Sequence, residues 1–492
     1  MRHKPRMDSG SRLQQAVTQL LQQGRQEEAW RKIRAHLTLV PYDGWFLHEA
    51  ARLTRRSGDL DLAQRYYQRA LKLAPLDAGL LNGLGLTHYD AGRWSEAEAC
   101  YQAALKSHAG YAACHNNYAI LLHKQRRYHL ALDQYRLALL SQADYTEARY
   151  GMSTLLAHMG QLQEAESQMQ QVLHARRSDL RCRNALGMVQ LQQGNFSAGW
   201  SNYQARYAPD NPERFFTLPK LPIRYWQGED LCGKTLLVRT EQGIGDEIQF
   251  CRYLTRVKTE KQAEKVIMLG SEALKPLMVT LPHLDDYLTR EETQHALPQA
   301  DYWCSLLDLP QHFLSSTQPF SAHHPYLFSP AEQHAKWPIK GRGKKIGIVW
   351  KGSSGHKNDS QRSLAHLSQL SPLFELPDIN WISLQKGAGE EEIADFPHVQ
   401  PLGAQFTDYQ DTAAVISQLD LVIGVDTSVI HLAGALGKPC WVMLPACARD
   451  WRWLENREDS PWYPQMRLFA RGQDEEWSAV VARIKQALQQ QQ

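Results

Sequence analysis

Shifted against itself by 34 residues, the first part of this chain falls into register with itself. Gly24, Gly58, Gly92, Gly160 and Gly194 lie on one grid of that spacing, and Arg126 is the only grid point between them that is not glycine. Ala29, Ala63, Ala97, Ala131 and Ala165 lie on a second grid, which Gly199 continues. Tyr67, Tyr101, Tyr135 and Tyr203 share a third, with Met169 in the gap, and Ala70, Ala104 and Ala138 share a fourth. Such a period is the mark of a repeat array, in which each unit buries one face on its neighbours. The recurring aromatic and alanine positions are therefore core, not a cofactor site.

This pattern resembles the tetratricopeptide repeat, whose small residues let two antiparallel helices approach closely while a glycine turns the chain between them. The resemblance spans about six units over residues 10–213. It departs from the family where the helix-ending proline, present at Pro75, is mostly missing elsewhere, and the first and last units are degenerate, as capping units often are. It implies an all-α superhelix with a concave surface suited to an extended peptide or a protein partner. Asn82, Asn116, Asn117 and Asn184 fall in first helices, where they either contact a peptide backbone or are simply polar surface.

After Pro209, Pro212, Pro219 and Pro222 the periodicity changes. Lys234–Thr240 reads as a strand, Glu241–Glu247 as a glycine-rich turn, and Ile248, Cys251, Leu254 and Val257 mark one face of a helix. Pro325, Pro330, Pro338, Gly341 and Gly343 mark a hinge, after which Lys345–Trp350, Trp381–Leu384, Leu421–Val425 and Cys440–Leu444 read as strands with helical stretches between. Two successive parallel α/β series predict two doubly wound, Rossmann-like lobes facing a cleft, over residues 222–330 and 340–492. The closing helix, 474–489, is expected to pack back across the hinge.

The most informative stretch is Leu421–Gly437, read as strand, tight turn and helix. Asp426, Thr427 and Ser428 stand where side chains cap free backbone N–H groups, and those groups, with the helix dipole, hold phosphate well. His431 returns to the helix face of Thr427 and Ser428. An ordinary capped helix with a surface histidine fits the same residues.

Several chemistries are excluded by spacing. Gly243-x-Gly245 lacks the third glycine of a dinucleotide fingerprint, since Ile248 stands there, and the loop lacks the Gly-Lys-Ser/Thr ending of a P-loop. Gly352-Ser-Ser-Gly355 lacks the hydrolase elbow spacing. No paired histidines suggest zinc, and the single Asp-x-Asp, Asp59-Leu-Asp61, falls in a repeat turn. With 55 basic and 52 acidic side chains the net charge is +3, too small to imply nucleic acid or membrane binding. No run of 18 apolar residues spans a membrane, and the basic start lacks the apolar stretch of a signal peptide. The eight cysteines, scattered without Cys-x-x-Cys spacing, fit reduced thiols and a cytoplasmic location.

With these residues in place, the second half resembles glycosyltransferase family 9, the heptosyltransferase-like enzymes of two-lobed GT-B architecture. Gly245-Asp246 and the run Asp426–Pro439 carry the resemblance, which extends over residues 222–470. Fusion to tetratricopeptide repeats resembles bacterial protein-modifying transferases, including those that glycosylate flagellin. The resemblance implies a nucleotide-sugar donor, an acceptor hydroxyl on a protein recruited by the repeats, inverting chemistry and no metal cofactor. Transfer onto lipopolysaccharide or another glycan, and a non-catalytic scaffold, are the alternatives. It further implies that Asp246 is the base, that His431, Thr427, Ser428 and helix amides bind the donor phosphates, and that Lys357, assisted by Arg362, supplies the cation. Asp426 caps the turn or touches sugar, Gln385 ends a strand at the nucleoside edge, and Gly243, Gly245 and Gly352 shape the loops. The segment Asp450–Pro464, rich in tryptophan, is either a stacking surface or a buried wall.

Overall fold

The computed structural model describes residues 9–214, 216–314, 320 and 325–491. Residues 1–8, which hold most of the basic start, lie outside that range. Twelve helices come first, each pair joined by a short turn: Ser9–Gln22 (α1), Gln26–Leu39 (α2), Gly44–Arg56 (α3), Leu60–Leu73 (α4), Ala78–Asp90 (α5), Trp94–Ser107 (α6), Ala112–Lys124 (α7), Tyr128–Ser141 (α8), Thr146–His158 (α9), Leu162–Ala175 (α10), Leu180–Gln192 (α11) and Phe196–Tyr203 (α12). Aspartates start several of them: Asp43, Asp59, Asp77 and Asp179 each accept from a backbone N–H three residues on, satisfying a donor the helix leaves free. Asp59 of the Asp-x-Asp pair is thus a helix cap.

The grid glycines are explained by backbone conformation. Gly24, Gly58, Gly92, Gly160 and Gly194 have φ between +71° and +85°, the left-handed region in which a Cβ is costly. Arg126 adopts φ 62° at the remaining grid point, so the turn persists there against the residue's own preference. The chain divides into two compact units, residues 1–156 with 167–175, and residues 157–166 with 176–492.

In the first unit the tyrosine grid records close helix approach. A Cβ on Gly83 would lie 2.5 Å from the Tyr67 ring, one on Gly85 2.6 Å from Tyr101, and one on Gly151 2.6 Å from Tyr135. The three tyrosines are buried, each filling the space a glycine leaves on a neighbouring helix. Gly83→Ala is therefore expected to overpack this site and to destabilise by about 1–3 kcal/mol. In urea the unfolding midpoint would fall at constant m-value, and an unchanged midpoint would refute the packing argument.

The second unit holds two sheets in which every pairing is parallel. Arg224–Tyr225 (β1), Thr235–Arg239 (β2), Lys265–Gly270 (β3), Asp286–Thr289 (β4) and Tyr302–Ser305 (β5) form one, in the order β1-β5-β2-β3-β4. Lys344–Val349 (β6), Ile379–Ser383 (β7), Val399–Pro401 (β8), Leu421–Val425 (β9), Cys440–Leu444 (β10) and Met466–Ala470 (β11) form the other, in the order β11-β10-β9-β6-β7-β8. These are two Rossmann-like lobes. β9 and β10 are buried along their whole length, as expected of apolar runs covered by helices on both faces. Strand order reverses between β2 and β5 in the first lobe and between β6 and β9 in the second, where crevices open at carboxyl ends.

Two expectations are corrected. The closing helix, Trp477–Gln489, packs within the second lobe, its Val480, Val481, Ile484 and Leu488 joining the core with Ile346, Ile348 and Ile423. The glycine-rich turn is shorter than read, because Gly243 already caps the helix Ile244–Phe250, and a second helix follows at Arg252–Lys261.

The last helix pair contributes to the α/β core. Trp200 packs edge-on to Trp451 at 5.4 Å between centroids, and Phe196 to Phe320 at 4.9 Å. Buried Arg206, just beyond α12, lies between Glu241 (3.1 Å) and Asp308 (2.6 Å), and Tyr203 OH accepts from Gln242 Nε2 at 3.0 Å. A buried cation held by two carboxylates fixes Glu241 and Gln242, the start of the loop that faces the cleft. None of the eight cysteines is in a disulfide.

Candidate active site

A cleft of about 930 Å³ lies where the loops after β2, β6, β7, β9 and β10 meet. Gly243, Gly245 and Asp246 line it from the first lobe; Gly352, Arg362, Gln385, Asp426, Thr427, Ser428 and His431 line it from the second, together with Asp450 and Arg452. Lys357, the cation expected at the donor phosphates, is exposed on the loop after β6 and does not line the cleft.

Asp246 occupies the third position of its helix, where one carboxylate oxygen accepts from the Gly243 N–H at 2.8 Å. The other is hydrogen-bonded and ion-paired to Arg452. Asp246 thus caps the start of its helix from inside it, back onto Gly243. Burial raises its pKa above the ordinary carboxylate range, and the Arg452 charge works the other way. Arg452 also grips Asp450, at 2.9 and 3.1 Å. Burial opposes ionisation of Asp450, but this ion pair holds its pKa low.

Across the cleft, Thr427 is the N-cap of the helix Ser428–Ala435 without a capping hydrogen bond, and its buried Oγ1 has no partner among the described residues. Ser428 Oγ lies 2.6 Å from Tyr409 OH. Unsatisfied amides at a helix start, with an unpartnered hydroxyl beside them, form a site for an anionic oxygen. Asp426 precedes them, and burial, then the Asp450 charge, push its pKa up to about 6. His431 stacks on Trp453 at 5.3 Å and 19°, with Nδ1 3.0 Å from Tyr463 OH and Nε2 3.7 Å from Asp426. Burial, then the Arg452 cation, lower the His431 pKa to about 3, so its ring is neutral at ordinary pH. A neutral imidazole meets a ligand by hydrogen bonding rather than by charge.

Gly245 sets the approach of the two lobes: a Cβ there would stand 3.0 Å from His431 Cδ2. Gly352 does the same for Arg362, whose Nη2 would lie 2.6 Å from a Cβ on Gly352. Gln385 lines the cleft, but its amide is spent on backbone. Its Oε1 accepts from Trp350 and Lys351 N–H at 3.0 Å, and its Nε2 donates to Lys351 and Ala388 carbonyls at 3.1 and 2.9 Å. Its place is in holding the β6 and β7 loops together. Trp451, Trp453, Trp462 and Tyr463 are buried, so the aromatic segment is a wall.

Arg452 was not foreseen. In sequence it stands between two tryptophans that dominate the segment, and nothing local announces that Asp246 will be its partner. Among the described residues no group of three or more His, Cys, Asp or Glu side chains is placed to hold a metal ion. None of the described helices is long and apolar enough to cross a membrane.

The repeat period, the helix pairs and the two parallel sheets define an N-terminal region of tetratricopeptide repeats followed by a two-lobed α/β region. A family model of the tetratricopeptide repeat matches residues 48–99 and 83–148. Among curated proteins the chain is distantly related to Protein FlbA of Caulobacter vibrioides, 29% identical over 330 residues. That match covers 62% of this chain and 54% of FlbA, so the chain spans about half the length of this relative. Solved structures similar to it include MamA (19% identity, 32% of this chain and 91% of that one, TM-score 0.30) and YrrB, described as a TPR protein with an unusual peptide-binding site (21%, 35% and 89%, TM-score 0.30). A third is a thermophilic TPR protein of Thermus thermophilus (21%, 37% and 98%, TM-score 0.33).

Proposed function

We propose that the chain is a glycosyltransferase that moves a sugar from a nucleotide-sugar donor to a hydroxyl of a protein acceptor recruited by the repeats, with flagellin-type proteins as one acceptor class. The observation that supports this best is a single cleft holding Asp246 from one lobe and a helix start with an unpartnered Thr427 hydroxyl from the other. Transfer needs a base for the acceptor proton and stabilisation of charge developing on the leaving phosphate. In this reading Asp246 takes the proton. The amides at Ser428, Thr427 Oγ1 and Arg362 receive the phosphates, and the neutral ring of His431 donates or accepts a hydrogen bond beside them. Burial raises the Asp246 pKa, which suits it to accept a proton, and the Arg452 charge opposes that rise and favours the carboxylate. Asp426, whose raised pKa makes it easily protonated, can approach a sugar hydroxyl or phosphate with little repulsion. The chemistry assigned to these residues needs no metal. Tetratricopeptide grooves hold peptides, which favours a protein over a glycan acceptor.

A donor that binds only the native state raises the melting temperature, by an amount equivalent to about 2.7 kcal/mol at one hundred times its dissociation constant. A panel of UDP-, GDP-, ADP- and CMP-sugars is expected to contain one such donor, and Arg362→Gln is expected to shrink its effect. If no nucleotide-sugar shifts the transition, the donor assignment is lost. The second reading, a nucleotide-binding scaffold without turnover, is favoured by one feature: both Asp246 carboxylate oxygens are already engaged. Binding without sugar release or transfer would select it.

A further inference from the structure

A second cavity, of about 650 Å³, opens at the carboxyl ends of β2, β3 and β4 and shares no lining residue with the main cleft. Arg239 ends β2 and Arg290 directly follows β4, and both line it. Arg239 is half-buried, yet neither guanidinium has a hydrogen-bond or ion-pair partner among the described residues. The rest of this region contrasts with that. Lys258 pairs with Asp285, Lys275 with Glu292, and Arg256 with Glu260. Buried Glu247, on the helix after β2, is satisfied by Ser271 and Tyr287.

Removing a guanidinium from water without a counter-charge is unfavourable, and a second one beside it makes matters worse. Burial first, and then the Arg290 charge, depress the Arg239 pKa accordingly. The penalty turns into an attraction when a bidentate oxyanion sits between the two forks. The position also suits a ligand, since crevices at the carboxyl ends of parallel strands are where such sheets bind small molecules. Glu272, which opens a short 3-10 helix, and Glu291, in a turn, are exposed and line the same cavity, and neither pairs with the arginines. They leave room for hydroxyl or ammonium groups elsewhere on the ligand, while Leu221 and Leu269 supply an apolar wall.

We propose that Arg239 and Arg290 together bind the carboxylate or phosphate group of a small molecule in this cavity, at a site separate from the main cleft. The site stands or falls independently of any sugar transfer.

Phenylglyoxal labelling of the full-length protein, read residue by residue by mass spectrometry, tests it. Free protein is expected to be labelled at Arg239 and Arg290. Inorganic phosphate or malonate at ten times its dissociation constant is expected to slow labelling of both about tenfold, by mass action, and to leave exposed Arg31 unaffected. Protection by phosphate alone identifies a phosphorylated ligand, and protection by malonate alone a carboxylated one. Arg290→Gln should leave Arg239 reactive and abolish its protection. Labelling insensitive to both anions, or equal protection of Arg239 in the Arg290→Gln protein, overturns the proposal.

Discussion

Asp246→Asn is expected to reduce sugar transfer by about 10²–10⁴-fold in kcat, the contribution of a positioned general base, while the donor still binds. The substitution is conservative in structure. An asparagine oxygen at 246 can still accept from the Gly243 N–H, and Arg452 retains Asp450 as a partner. The pH dependence separates a base from a mere partner of Arg452. Burial already raises the Asp246 pKa, and Arg452 restrains it. Replacing that cation with Arg452→Gln removes the restraint, so the acidic limb of kcat/KM should move to higher pH. Wild-type rates in the Asp246→Asn protein, or an acidic limb indifferent to Arg452, would take the base role away from this residue.

Asp426→Asn is expected to stabilise the fold at pH 7 by about 3 kcal/mol, from the difference between a native pKa near 6 and an unfolded one near 3.9. The sign follows from which state holds the proton more tightly. The native state does, so the Asp426 contribution is fully present below about pH 4 and is lost as pH rises towards 6. Asparagine has no charge to desolvate, and its advantage at neutral pH should vanish by about pH 4. His431 acts in the opposite direction. Its native pKa near 3 lies below the unfolded value, so its contribution is present above about pH 6.5 and is lost as pH falls towards 3. In the wild type the two trends oppose each other between pH 6 and 4; in Asp426→Asn only the histidine term remains. The variant should therefore gain stability at pH 7 and lose it more steeply in acid. Parallel urea titrations at pH 7, 5.5 and 4 measure this directly. A gain of equal size at all three would mean that the carboxylate's charge is not what destabilises the native state.

Much of the architecture was legible because its signals are short-range. A glycine every 34 residues reports a left-handed turn wherever the sequence is read, and five of those turns carry it. β9 and β10 fall where their uninterrupted apolar runs stand, since strands covered on both faces need such runs. Boundaries were less legible where a helix start was decided by a side chain turning back, as with Asp246 and Gly243. The closing helix was misplaced for a related reason: its apolar stripe is evident, but a stripe does not name its partner.

The chain's own order of residues determined that helix pairs would repeat, that two parallel sheets would follow, and that Asp246 and the Asp426–His431 run would stand at strand ends. Periodicity, turn chemistry and strand burial act over a few residues, so they can be read without a structure. Tertiary structure alone decided the electrostatics of the cleft. Arg452 reaches Asp246 across 206 positions of sequence, Trp453 covers the ring of His431, and Lys357 is left outside the lining. Charge state depends on distance through space and on exclusion of water, and neither quantity is written in the spacing of residues along the chain.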